Sequence, residues 1–145
     1  MQLGIMVAMS EETLILVKPD GVRRQLTGEI LARIERKGYV IKALKMAQAT
    51  PDMLARHYRE HVEKPFYPGL VEYMTSGPVV AAIVAGSRVI EGVRSLSGAT
   101  DPTKAAPGTI RGDFGRDWGS GAMLNLIHSS DCPESAEWEK SVWFS

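Results

Sequence analysis

A chain of 145 residues has room for one ordinary hydrophobic core, and its 44% hydrophobic and 23% charged composition is that of a globular domain. With 17 basic and 17 acidic residues cancelling, there is no bulk field to draw in an anionic membrane, or nucleic acid as the main partner. The longest apolar run, Val79 to Ala85, is far short of the ~20 residues that cross a bilayer, and the single cysteine, Cys132, excludes an internal disulfide and fits a reducing, cytoplasmic setting.

In chain order, the opening MQLGIMVAMS is mildly apolar without a basic start, which argues against a secretory signal. Residues 1–10 are read as an N-terminal extension and 11–145 as a single domain. Thr13 to Val17 is a β-rich run stopped by the turn former Pro19-Asp20-Gly21. Leu26, Ile30 and Ile34 then recur at helical spacing, with Leu31 beside them and Gly38 as a stop. Tyr39 to Ala49 alternates in part and is predicted as a second strand. Thr50 is placed to cap a helix with Pro51 in its first turn and Asp52 against the dipole, running through His61.

A short helix is predicted from Leu70 to Thr75, a buried strand from Val79 to Ala85 and a helix near Val89 to Leu96. Residues 97–121 hold six of the fourteen glycines together with Pro102 and Pro107, and a loop of that length inside a domain is usually functional or disordered. The last strand is predicted from Leu124 to Ile127, just before His128. Asp131 with Glu134 reads as a capping box opening a helix toward Val142. Strands and helices in this order make one α+β domain.

His128, in NLIHSSD, stands at a strand end beside hydroxyls and a helix N-terminus, where backbone N–H groups favour anions. A near-neutral imidazole there can act as nucleophile or base, although a histidine satisfied in the core has the same local sequence. On a flat strand Asn125 and His128 point to opposite faces, so a shared site needs one of them off the regular strand. The glycine-rich stretch supplies hydroxyls from Thr100, Thr103 and Thr109 and the Arg111 guanidinium. That is a phosphate-binding vocabulary without a Walker loop or a dinucleotide fingerprint, and a solvated loop shares it. Arg88, Arg94 and Lys18 read individually as surface cations. His57 and His61 have the i, i+4 spacing of a zinc pair, but no third ligand is evident and a solvated helix face is the simpler reading. Phe66, between prolines, is either a packed corner or an exposed ring able to stack on a base.

Taken together, ETLILVKPDGVRR, GEILARIERKGY, HYREHVEKPFYPGLVEYMTSGPVVA, DPTKAAPGTIRGDF, NLIHSSD and ESAEWE resemble the nucleoside diphosphate kinase family over nearly the whole span from Glu11 to Phe144. The resemblance implies a ferredoxin-like βαββαβ sandwich, with an antiparallel four-stranded sheet and added helices. It implies transfer of the γ-phosphate of a nucleoside triphosphate to a nucleoside diphosphate by a ping-pong route. Matched motif by motif, His128 corresponds to the histidine that becomes phosphorylated and Glu139 to the carboxylate that orients it, with Ser130 and Asp131 as polar neighbours. Lys18 and Asn125 match positions at the sugar 3′-hydroxyl, Lys18 also lying near the travelling phosphate. Arg94, Thr100 and Arg111 match phosphate-binding positions, with Tyr58 and the accessory His57 at the edge of that site. Phe66 matches the ring that packs on the base. Mg²⁺ is implied as cofactor, held chiefly by the nucleotide phosphates rather than by a protein metal site. Nucleoside di- and triphosphates are the implied ligands, and self-association to a hexamer or tetramer is implied as well.

Between Phe114 and Asn125 the chain reads GRDWGSGAML, a few residues longer than the family pattern. Leu124 stands where arginine is common, and Ser129 where glycine is usual. The competing expectation is therefore a nucleotide-binding or regulatory protein whose catalysis is impaired by the 115–124 insertion.

Overall fold

Two strands that are apolar on both faces set the centre of the sheet. In the computed structural model, which describes residues 11–121 and 123–145, β1 (Glu11–Val17) pairs antiparallel with β3 (Val79–Gly86). The sheet is completed by β2 (Val40–Ala47) on the far side of β3 and β4 (Ile127–Ser129) on the far side of β1, in the order β2-β3-β1-β4 with antiparallel neighbours throughout. The helices are α1 (Pro19–Arg23), α2 (Thr27–Arg36), α3 (Pro51–His57), α4 (Tyr67–Met74), α5 (Val89–Ser97), α6 (Ile110–Phe114) and α7 (Pro133–Trp143). The core order β1-α2-β2-β3-α5-β4 is the expected ferredoxin-like βαββαβ, and the remaining helices are additions to it.

Alternation along the strands divides the core in two. Ile15, Val17, Val80, Ala82 and Val84 face Ile30 and Ile34 of α2 and Val89 and Val93 of α5. Leu14, Leu16, Val79 and Ala81 face Leu54 of α3, Met74 of α4, and Val142 and Trp143 of α7. Because both faces are covered, the central strands have no polar side to show and read as unbroken apolar runs. β2 lies at the edge, carries a register shift between Ile41 and Ala43, and leaves Val40, Leu44 and Met46 exposed.

Several elements depart from the sequence reading, some for local reasons and some for distant ones. Pro19-Asp20-Gly21 opens the short helix α1 instead of a turn, with proline in the first turn and Asp20 favoured by the helix dipole. α3 ends at His57 rather than His61. Residues beyond it tighten into successive i→i+3 turns through His61, Lys64 and Tyr67, and the Trp138 indole takes the Arg56 carbonyl at 2.7 Å. α4 starts at Tyr67, three residues before the predicted Leu70. The glycine-rich stretch contains α6, hidden by the interior Gly112 but capped by Thr109 Oγ1. The capping box from Asp131 does not form: Cys132 is the N-cap, its side chain makes no cap bond, and Pro133 begins α7. The last strand is displaced to Ile127–Ser129, so His128 lies within it. Residues 1–10, the expected extension, and Ala122 of the insertion lie outside the described residues.

Candidate active site

The conflict between Asn125 and His128 is resolved by one residue. Leu126 has φ +73°, and the Ile127 N–H closes back on the Asn125 carbonyl at 2.7 Å, a three-residue turn that takes Asn125 off the strand. Asn125 and His128 consequently border the same cleft, of about 280 Å³. Lys18, at the exit of β1, donates from Nζ to Asn125 Oδ1 at 2.7 Å, while Asn125 Nδ2 donates to the Thr100 carbonyl at 3.0 Å. The Lys18 ammonium is lowered to about 8, chiefly by burial and next by the Arg111 cation, with Asp20 working in the opposite direction.

His128 pairs with Leu16 across the sheet, so it shares the face covered by α3, α4 and α7. Its Nε2 lies 2.8 Å from Glu139 Oε1, which also accepts the Ser130 hydroxyl at 2.8 Å. Ser130 is in turn fixed by the Leu14 N–H at 3.1 Å. An ionised carboxylate only accepts, so this network assigns the His128 proton to Nε2 and leaves the lone pair on Nδ1. Ser130 is fully buried behind Glu139 and does not border the cleft.

His57 is not on a solvated face, as its helical spacing had suggested; it is 7% exposed and its ring meets His128 edge-on with centroids 4.6 Å apart. His61 lies past the end of α3, so the two do not form a helical pair. Burial, reinforced by His128, Lys18 and His61, pushes the His57 imidazole down to about 2, and the ring is neutral. The Trp143 indole N–H donates to its Nδ1 at 3.0 Å, which assigns the proton to Nε2. His57, His128 and Glu139 bring their ligand-type atoms within 4.8 Å of one another. Metal binding through His57 Nε2 would have to displace that proton and set Nδ1–H against the indole N–H, so the trio is a hydrogen-bonded wedge rather than a ready ligand set.

The cations come from separate segments. Arg111 gives Nε to the Asn125 carbonyl at 3.1 Å, Nη1 to Gly98 at 2.9 Å and Nη2 to Ile127 at 2.5 Å, and is lowered to about 10, chiefly by burial and next by Arg94. Five N–H groups minus these three leave two for a ligand. Arg94 contributes a long contact to the Ser129 carbonyl at 3.4 Å and is otherwise exposed. Thr100 and Tyr58 also line the cleft, as do Arg59, Glu60 and Trp138, with Asp131 at the mouth, its carboxyl held low by the Ser135 hydroxyl. Phe66 stands apart from the lining, 53% exposed at the start of α4 with the His61 ring 5.6 Å away. Arg88 is absent from the lining and pairs with Glu91.

Three supporting residues escaped the sequence reading. Trp143 lies four residues beyond Glu139 on α7, a spacing that could have placed it on the same face. Asp20 and Tyr73, which hydrogen-bond to one another, had no local signal at all. The assembly sets a lone-pair nitrogen among convergent cations and donors, a setting suited to receiving a group from a polyanion.

Residues 11–145 match the family model described as nucleoside diphosphate kinase. A nucleoside diphosphate kinase of Nocardia farcinica is 55% identical over 137 residues, covering 94% of this chain and 96% of the relative. The crystal structure of the Aquifex aeolicus nucleoside diphosphate kinase superposes with a TM-score of 0.86 at 47% identity, covering 94% of this chain and 96% of that one. A transition state mimic of the Borrelia burgdorferi nucleoside-diphosphate kinase, with bound vanadate and ADP, gives a TM-score of 0.88 at 36% identity, covering 95% and 89%.

Proposed function

The chain belongs to the nucleoside diphosphate kinase family and transfers the γ-phosphate of a nucleoside triphosphate to a nucleoside diphosphate, and from that premise we propose which of its residues do the work. His128 is the nucleophile. Its Nδ1 attacks the γ-phosphorus, a P–N bond forms as the P–O bond to the β-phosphate breaks, and the nucleoside diphosphate leaves. A second nucleoside diphosphate then attacks the phosphohistidine through a β-phosphate oxygen, forming P–O and breaking P–N. The observation that carries this is the 2.8 Å contact of His128 Nε2 with Glu139, because it supports a proton on Nε2 and a free lone pair on Nδ1.

Glu139, steadied by Ser130, holds the ring through both half-reactions. Lys18, Arg94 and Arg111 offset charge on the phosphates, with Thr100, Tyr58 and Asp131 around them and His57 as a neutral donor beside the nucleophile. Asn125 and Lys18 address the sugar 3′-hydroxyl. The exposed Phe66 stacks on the base, a contact that reads a π-face and tolerates different bases.

The reaction calls for a divalent cation, and Mg²⁺ is the ion proposed. Of the lining carboxylates Glu139 is committed to His128 and Ser130 and Asp131 to Ser135, while Glu60 is exposed, so the lining offers no cluster of carboxylates, which suits an ion that arrives on the phosphates and neutralises part of their charge. One domain over 11–145, a cytoplasmic setting and self-association into a hexamer or tetramer belong to the same proposal. The apolar Val40, Leu44 and Met46 on the edge strand favour association. Among the described residues no helix is long and apolar enough to cross a membrane.

The alternative of a nucleotide-binding protein disabled by its 115–124 insertion is not favoured: the described part of the insertion leaves Asn125, Arg111 and Lys18 joined in one network. Initial rates with ATP and a second nucleoside diphosphate test the proposal. Parallel double-reciprocal lines are expected, and nucleotide binding without turnover contradicts it.

A further inference from the structure

Among the described residues three non-glycine residues have positive φ, namely Gln25, Arg88 and Leu126; the first two are exposed, whereas Leu126 is fully buried. A leucine has no side-chain hydrogen bond to offer its own backbone in this region, so the conformation must be imposed by its neighbours. Both of its peptide groups are taken by the segment that leaves β1. The Leu126 N–H donates to Asp20 Oδ2 at 3.2 Å, and its carbonyl accepts the Lys18 N–H at 2.8 Å. Asp20 is 4% exposed, and its second oxygen accepts the Tyr73 hydroxyl from α4. The close approach needs Gly21, where a Cβ would lie 2.8 Å from Val17 Cγ1 and 3.2 Å from the Leu126 carbonyl oxygen.

We propose that Asp20, anchored by Tyr73, is a positioning carboxylate that holds Leu126 in its left-handed turn and so keeps Asn125 in the cleft against Lys18. His128 is placed independently, by its pairing with Leu16 and its bond to Glu139. Loosening the Asp20 contact therefore disturbs recognition of the nucleotide and spares the reactivity of the imidazole. The inference rests on the nucleotide-handling role proposed for Asn125 and Lys18. Asp20 also acts on Lys18 through its charge, but Tyr73→Phe leaves that charge in place and separates the two effects.

The test follows His128 phosphorylation from two donors: ATP with Mg²⁺, and phosphoramidate, a small donor with neither sugar nor base. Tyr73→Phe removes one hydroxyl and keeps the ring. The apparent KM for ATP is expected to rise roughly 5- to 20-fold, while labelling by phosphoramidate stays within about twofold of wild type. Asp20→Ala should widen the same split. Adding Leu126→Gly to it should recover part of the ATP KM, since glycine holds a positive φ unaided. Should Asp20→Ala fail to fold, Tyr73→Phe alone decides. An unchanged ATP KM in Tyr73→Phe, or an equal loss with both donors, overturns the positioning role. A wild-type protein that neither donor labels removes the phosphohistidine reading itself and this inference with it.

Discussion

An imidazole whose Nδ1 accepts an indole N–H keeps its proton on Nε2, and His57 is such a ring, neutral and packed edge-on against His128. A ring in that state lines the cleft beside His128 without adding a charge that would compete with Lys18. The arrangement has a cost in acid. The folded His57 titrates at about 2 against 6.5 for the free side chain, so between those values the unfolded chain binds more protons than the folded one. The stability associated with this residue is complete above pH 6.5 and is lost as the pH falls below it, at up to about 1.4 kcal/mol per pH unit. His57→Gln, which cannot titrate, is expected to flatten that slope. Urea midpoints at pH 7, 6, 5 and 4 check it, and an identical slope in the two proteins contradicts the buried neutral ring.

At the scale of elements, the site depends on the turn into β4 and on the loop that carries α6, which Arg111 ties together through the carbonyls of Gly98, Asn125 and Ile127. Arg111→Lys keeps the charge but not the planar fork, so one or two of these buried acceptors lose their partner. A loss of about 1–3 kcal/mol in unfolding free energy and at least a tenfold rise in nucleotide KM are expected. Denaturant titration and steady-state kinetics measure the two, and wild-type values for both would show that charge alone matters. Elements with a strong period were legible in the sequence: Leu26, Ile30 and Ile34 give α2, and the run from Val79 gives β3. The end of α3 was not, because what stops it is the distant Trp138 indole on the Arg56 carbonyl. The true span of β4 was hidden for a similar reason, since the turn at Leu126 is held by Asp20 and Lys18, more than a hundred residues away. At the site, motif identity pointed to Ser130 and to much of the cleft lining, including Lys18, Arg94, Thr100, Arg111, Asn125, His128 and Glu139, whereas the place of Ser130 behind Glu139, the tautomer of His57 and the Asp20–Tyr73 pair exist only in three dimensions.

Across the whole molecule, the sheet is what makes one cleft from these separate pieces. β1 delivers Lys18, its neighbour β4 delivers His128, α3 brings His57, α5 brings Arg94, and α7 reaches back with Glu139 and Trp143. Residues far apart in sequence thus meet at one face, where the two cores adjoin through Ile127 on one side of β4 and the His128–Leu16 pair on the other. The central claim is that the chemistry passes through a single nitrogen in that assembly. Its most direct measurement is incubation with γ-labelled ATP and Mg²⁺ without an acceptor, followed by mapping of the modified residue. An acid-labile, base-stable phosphoryl group on His128, discharged by adding a nucleoside diphosphate and missing in His128→Ala, is the predicted result. Undiminished labelling in His128→Ala, or turnover in wild type with no phosphoprotein on the pathway, would contradict it.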